Sequence, residues 1–161
     1  MKIKHKITPF LWFNGHAETA AKFYTGIFKN SKIVETLHYG NVGPEPKGTV
    51  MAVIFDLDGQ RFYALNAGSE FKFNPSISFF VMCQNQKEID TLWKKLCSGG
   101  GKPIQCGWVT DKFGVCWQIV PDMMWKLLKD KNTRKVDAVM SAMMKMDKLN
   151  FKKLLQAAKP K

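Results

Sequence analysis

The chain has 161 residues, about the length of one domain, and its 45% hydrophobic and 24% charged residues are typical of a globular protein. It contains no run of about 18 apolar residues, and its N-terminus lacks the apolar stretch of a signal peptide, so we expect a cytoplasmic protein with no membrane partner. The net charge of +12 would suit an anionic partner, but it does not by itself specify one.

The first part of the chain has the element order β-α-β-β-β. A helix with apolar positions at helical spacing is predicted from His16 and ends at Asn30. Asp58-Gly59 is a hairpin signal between two alternating segments, and the loop of residues 40–48 contains two prolines. The predicted strands are residues 7–13, 32–39, 49–57 and 60–66.

The same order then begins again. A strand is predicted at residues 76–82, a helix at 88–97, strand segments at 102–106 and 107–109, and a last strand at 115–120. Gly99 to Gly101 end the helix, as residues tolerant of positive φ often do. We therefore predict an α+β domain over residues 1–161, with module one at about 1–70 and module two at about 71–121.

Residues 122–161 form a C-terminal helical extension with a different period. Apolar residues at helical spacing, many of them methionine, predict three short amphipathic helices that lie across the sheets or across a partner subunit. The extension has eleven basic and four acidic residues, a net charge of +7. Because Phe151 is its only aromatic residue after Trp125, nucleic acid is not expected as a partner.

The four cysteines do not form a metal-binding pattern. Cys83, Cys97, Cys106 and Cys116 contain no C-x-x-C pair, and their spacing would be unusual for zinc. We expect four reduced thiols that pack as small apolar side chains.

Several ordered segments of the chain are specific enough to compare with known families. The segments are 9–15 (PFLWFNG), 23–25 (FYT), 64–66 (ALN), 71–74 (FKFN), 77–79 (ISF), 106–108 (CGW), 111–114 (DKFG), 117–121 (WQIVP) and 139–144 (VMSAMM). Together they resemble the PhnB-like family, often called the 3-demethylubiquinone-9 3-methyltransferase domain, in the vicinal oxygen chelate superfamily with glyoxalase I, bleomycin-resistance proteins and extradiol dioxygenases. The similarity runs from about Pro9 to Leu155.

The resemblance implies a fold and a metal site. The fold is two βαβββ modules that form a half-open eight-stranded barrel (the glyoxalase/bleomycin resistance/dihydroxybiphenyl dioxygenase fold), usually in a homodimer. Enzymes of the superfamily hold a divalent metal with His or Glu on the first and fourth strand of each module. The matching positions here are Pro9, Ala64 or Asn66, Ser76 and Gln118, which are poor metal ligands, so we expect no metal site.

The candidate pocket follows from these positions and from strand alternation. Alternation places Phe13, Ser78 and Cys116 on the concave face with them. The side chains expected to point toward the helices are Trp12, Ile77, Phe79, Trp117 and Ile119. The predicted ligand-binding residues are Phe13, Ala64, Asn66, Ser76, Ser78, Cys116 and Gln118.

Three functions are compatible with this sequence. The leading hypothesis is metal-free binding or sequestration of an unknown small molecule by a homodimer, with no cofactor. The alternative is an enzyme of the superfamily: a metal-dependent lyase, isomerase or dioxygenase, in which His5 or His38 would have to reach the cavity, or the methyltransferase of the family label. Gly99 to Gly101 follow a helix, unlike the glycine-rich turn of a usual adenosylmethionine site. The third is an interaction protein that uses its basic C-terminal helices.

Overall fold

The computed structural model describes residues 6–159, in two compact units. Unit one extends to Lys72, and unit two begins at Phe73 and includes the C-terminal helices. Across residues 6–159, no helix is both long and apolar enough to cross a bilayer.

Unit one contains one helix and a mixed four-stranded sheet. Its elements are β1 (Phe10–Phe13), α1 (Ala17–Ile27), β2 (Lys32–His38), β3 (Val50–Leu57) and β4 (Gln60–Asn66). The strand order is β1-β4-β3-β2, in which β1 and β4 are parallel and the other pairs antiparallel.

The β3–β4 hairpin forms where the sequence predicts it. Asp58 and Gly59 have φ of 45° and 81°, the two positive values that a two-residue hairpin turn prefers. Ser31 Oγ accepts a hydrogen bond from Asp58 N at 3.0 Å. Arg61 Nε and Nη2 donate to the two carboxylate oxygens of Asp56 on the neighbouring strand, which fixes the register beside the turn.

The core of unit one lies between α1 and one face of this sheet. Tyr24 of α1 is fully buried and its ring stacks on Phe55 of β3 with a centroid distance of 6.2 Å. Phe55 in turn stacks on its cross-strand partner Phe62 at 5.4 Å. Aromatic pairs at such distances add to the free energy gained from burial, so α1 is held on the Phe55–Phe62 face.

Unit two repeats the arrangement. Its elements are β5 (Phe79–Cys83), α2 (Gln86–Leu96), β6 (Lys102–Pro103), β7 (Trp108–Thr110) and β8 (Cys116–Pro121), with strand order β5-β8-β7-β6. As in unit one, the first and last strands are parallel neighbours. The prediction of an α+β fold with two βαβββ modules is confirmed.

Several predicted boundaries in these modules differ from the structure. Strand β1 begins at Phe10 instead of Ile7, which is 90% exposed. Strand β5 begins at Phe79 instead of Ser76, because the Asn74 side chain accepts a hydrogen bond from Ser76 N at 2.9 Å and forms a turn. Residues 105–107 form a 3-10 turn instead of continuing a strand from Lys102.

The C-terminal extension forms α3 (Met124–Leu128), α4 (Thr133–Met143) and α5 (Phe151–Ala157). Together with Val120 of β8 it builds a hydrophobic cluster of its own. The buried members of this cluster are Val120, Met124, Leu127, Val139, Leu149, Leu154 and Ala158. The methionine-rich helices therefore pack against module two.

The turn at residues 105–107 fastens the extension to module two. Backbone amides of Cys106 and Gly107 donate to the carbonyls of Met146 and Asp147, each at 2.7 Å. Gly107 has φ +85°, and a Cβ atom there would lie 2.8 Å from the carbonyl oxygen of Ile119. Only glycine accommodates this approach without strain.

Candidate functional site

The pocket residues predicted in unit one lie on the face that α1 covers. Phe62, Ala64 and Asn66 occupy every second position of β4 and so share one face, and Phe13 of β1 is the register partner of Asn66. All are buried, and Phe13 is 4% exposed. The predicted concave face for Phe13, Ala64 and Asn66 is therefore wrong, because this face packs against α1.

Both polar atoms of the Asn66 amide are used inside unit one. Its Oδ1 accepts a hydrogen bond from Ala17 N at 2.7 Å, and its Nδ2 donates to the carbonyl of Val50 at 3.0 Å. The Asn66 carbonyl also accepts a hydrogen bond from the Tyr39 hydroxyl at 2.7 Å. Asn66 therefore connects the first turn of α1 to β3 and β4.

Trp12 lies on the opposite face of the same sheet, not toward α1 as predicted. Its indole Nε1 donates to the carbonyl of Gly68 at 2.8 Å, and its ring meets Phe71 edge-on with a centroid distance of 5.0 Å. On this face Phe10 also stacks on Tyr63 at 6.0 Å and remains 59% exposed.

In unit two, alternation along β8 separates the residues as predicted. Trp117 and Ile119 point to one face and are buried at 2% and 0% exposure. Cys116 and Gln118 point to the other, with Trp108 of β7 as the cross-strand partner of Gln118. We call this surface the Gln118 face; it consists of Ser78, Phe80, Trp108, Thr110, Cys116 and Gln118.

The centre of the Gln118 face is a polar pair between aromatic rings. Gln118 Nε2 donates to Ser78 Oγ at 2.8 Å, and Gln118 itself is half-buried. Phe80, its register partner on β5, is 39% exposed. Within residues 6–159 nothing hydrogen-bonds to Gln118 Oε1, so this acceptor is available to a ligand.

The other two predicted polar residues differ in position. Ser76 is exposed in the turn before β5, and its backbone amide is held by Asn74. Cys116 is buried on the Gln118 face, and its thiol lies 3.6 Å from the hydroxyl of its strand partner Thr110. Ser78 and Gln118 are thus the predicted residues that the structure joins by a side-chain contact.

The cysteines are free thiols. Burial raises the pKa of Cys83 to about 12, and the charges of Glu88 and Asp122 act in the same direction. Desolvation also raises the pKa of Cys97 and of Cys106. Because the thiolate is the nucleophile, these shifts reduce the reactivity of all three at neutral pH.

The side chains at the positions that match the metal ligands of superfamily enzymes do not suit a divalent cation. Pro9, Ala64 and Ser76 offer no strong ligand, the Asn66 amide is engaged with the backbone, and Gln118 offers a neutral oxygen. Over residues 6–159, no group of three or more His, Cys, Asp or Glu side chains is arranged to hold a metal.

Two of the three histidines are exposed residues of unit one. His16 is exposed before α1, and His38 is exposed at the end of β2. His5 lies outside the described residues.

Sequence reasoning missed four residues of this site: Phe80, Trp108 and Thr110 on the strands, and Trp125 on α3. The ring of Trp125 on α3 lies 5.9 Å from the ring of Phe80, and Trp125 is 52% exposed. It extends the aromatic border of the Gln118 face. Strand alternation could have identified Phe80 and Trp108, but Trp125 belongs to a helix whose position depends on tertiary packing.

Comparisons with known proteins identify the family of this chain. The model of the 3-demethylubiquinone-9 3-methyltransferase family matches residues 5–120. The segment at residues 139–144, which the sequence analysis included in the resemblance, lies outside that match. Among curated proteins, none matches the chain.

Solved structures agree with the family match. The PhnB protein from Bacillus cereus is 38% identical with a TM-score of 0.67, over 73% of this chain and 99% of that chain. Protein PA1353 from Pseudomonas aeruginosa is 21% identical with a TM-score of 0.61, over 74% and 98%. The fosfomycin resistance protein FosX from Listeria monocytogenes, complexed with Mn(II) and sulfate, is 14% identical with a TM-score of 0.51, over 80% and 98%.

The last two similarities show the fold alone. The family match covers most of the chain, and the Bacillus cereus protein agrees with it in both sequence and structure. The chain therefore belongs to the PhnB-like 3-demethylubiquinone-9 3-methyltransferase family.

Proposed function

We propose that this protein binds and sequesters a small molecule on the Gln118 face of unit two. The observation that carries the proposal is the polar pair of Gln118 and Ser78, with a 2.8 Å hydrogen bond, between the aromatic residues Phe80 and Trp108. Small-molecule sites commonly combine apolar lining with a few oriented polar groups.

Each part of this face has a distinct role. The Ser78 hydroxyl holds one N–H of the Gln118 amide and so orients Oε1, which accepts a hydrogen bond from the ligand. Phe80 and Trp125, with their rings 5.9 Å apart, contact the apolar part of the ligand. A preordered amide loses little conformational freedom when the ligand binds.

The side chains at the positions that hold the metal in superfamily enzymes are neutral here. For this reason we propose binding and not metal-dependent chemistry. Gln118 orients a ligand through hydrogen bonds, and no charged group of the Gln118 face would activate water or abstract a proton. The expected homodimer is part of the proposal, and sedimentation equilibrium measures it directly.

A thermal-shift screen of metabolites and drugs tests binding. A ligand at one hundred times its Kd stabilises the protein by about 2.7 kcal/mol, which raises the Tm by about 5–10 °C for a chain of this size. A hit should then be recovered unchanged by mass spectrometry after prolonged incubation. Conversion of the compound would contradict sequestration.

Two variants test whether a compound binds on the Gln118 face. Gln118→Ala removes the oriented amide and should weaken a hit about tenfold, the loss expected for one hydrogen bond in a partly desolvated site. Gln84→Ala removes the same group from an exposed position after β5 and should leave the Kd unchanged. If no compound shifts the Tm, or both variants bind equally well, the proposal fails.

A further inference from the structure

The C-terminal helices are an addition to the fold that the chain shares with its relatives. The family match ends at residue 120, and 73% of this chain is enough to cover 99% of the Bacillus cereus protein. Helices α3, α4 and α5 all follow residue 120. This added segment carries +7 of the net charge of +12. These helices therefore distinguish this chain from the Bacillus cereus protein.

A cleft of about 740 Å³ lies between the first half of α4 and the end of α5. This volume is in the range of about 300–1,000 Å³ that is common for small-molecule sites. The cleft is lined by Asp130, Asn132, Arg134, Lys135, Ala138, Gln156, Ala157, Ala158 and Lys159. It is separate from the Gln118 face, none of whose members line it.

The cleft carries an excess of positive charge. Its one acid, Asp130, forms an ion pair with Lys135, and this hydrogen bond lowers the pKa of Asp130. Arg134 and Lys159 are exposed, and within residues 6–159 no carboxylate forms an ion pair with either. Asp137 is also on α4 but does not line the cleft. Two cations therefore remain for an anionic ligand.

The remaining walls suit a molecule with an anionic group and an apolar body. Ala138, Ala157 and Ala158 supply an apolar floor, and their small side chains leave the cleft open. The eleven-residue helix α4 begins here, with Asn132 as its N-cap, so its positive dipole end adds to the field of the two cations. Gln156, which also lines the cleft, offers a neutral hydrogen-bonding group.

We propose that this cleft binds the phosphate group of a small molecule, with Arg134 and Lys159 as its cationic contacts. The planar guanidinium donates two parallel hydrogen bonds to phosphate oxygens, and the ammonium of Lys159 contacts a third. The alanine floor contacts the organic part of the ligand. The site does not depend on the Gln118 face.

Isothermal titration with phenyl phosphate and with inorganic pyrophosphate tests a soluble ligand. Pelleting with phosphatidylcholine vesicles, with or without phosphatidic acid, tests a lipid headgroup that presents the same chemical group. Binding in either arm supports phosphate recognition, and the arm that responds identifies the source.

The variants separate the cleft from general charge attraction. Arg134→Gln combined with Lys159→Gln should weaken binding at least about tenfold, as expected for the loss of charged hydrogen bonds. Lys126→Gln combined with Lys153→Gln removes the same charge from exposed positions outside the cleft and should change binding by less than about twofold. Circular dichroism confirms that both double variants are folded. Equal weakening in both, or no binding at millimolar concentrations in either arm, would overturn the proposal.

Discussion

Replacing Asp111 with alanine should strongly destabilise the protein. Asp111 is 3% exposed, and its Oδ1 accepts hydrogen bonds from Phe113 N at 2.8 Å and from Val115 N at 3.1 Å. Its Oδ2 accepts a third from Trp117 Nε1 at 2.9 Å. The carboxylate thus ties the β7–β8 turn to a core indole.

The expected loss follows from the groups left without a partner. Val115 and Trp117 are each 2% exposed, so water cannot replace the carboxylate at their donors. A buried donor without a partner costs about 1–3 kcal/mol, and three lost bonds, two of them at such sites, sum to about 3–5 kcal/mol. At about 2–4 °C per kcal/mol, the Tm should fall by about 10 °C.

Urea unfolding followed by tryptophan fluorescence and circular dichroism measures this loss. Asp111→Asn retains one acceptor oxygen but turns an NH₂ group toward one donor, so its free energy of unfolding should lie between those of wild type and Asp111→Ala. Asp137→Ala removes an exposed carboxylate and serves as the control. A loss below about 1 kcal/mol for Asp111→Ala would refute the reasoning, since it would approach the roughly 0.5 kcal/mol or less that is usual at exposed sites.

Asn66→Ala leaves the buried Ala17 amide without its acceptor and should lower the free energy of unfolding by about 2–3 kcal/mol in urea denaturation; an unchanged midpoint would contradict a structural role. Gly107→Ala places a Cβ atom at φ +85° against a backbone oxygen and should lower the free energy of unfolding by at least about 1–3 kcal/mol. In the control Gly26→Ala the new Cβ meets open space inside α1, so this variant should not be destabilised. Burial keeps the Cys83 thiol protonated in the folded state and raises its pKa to about 12. The stability that the protonated thiol contributes is therefore present below pH 9 and is lost as the pH rises from 9 to about 12. Cys83→Ala should flatten that part of the curve of unfolding free energy against pH. Ending the chain after Pro121 exposes Val120 of the C-terminal cluster and should cause aggregation, which light scattering measures. A soluble, folded truncated chain would show that module two does not need the extension.

The elements of both modules could be predicted because their signals are local. Strand β4 is observed at the predicted residues 60–66, because alternation and the Asp58-Gly59 turn specify a hairpin without help from distant residues. The segment 102–106 was predicted as a strand, yet Cys106 turns with φ 63° and its amide bonds to the carbonyl of Met146. That contact spans 40 residues, so no local pattern could reveal it.

By itself, the sequence determined the two βαβββ modules and which residues share a strand face, since alternation is a property of the extended backbone. It correctly grouped Phe13 with Asn66 and separated Gln118 from Trp117. Only the tertiary structure decided which face each helix covers: the stacking of Tyr24 on Phe55 puts α1 over Asn66 and makes its amide a structural connection. Within unit two, tertiary packing separately brought α3 to β5, the start of α4 and the end of α5 to one cleft, and Asp111 beneath a turn. Burial and long-range hydrogen bonds depend on neighbours that are distant in sequence.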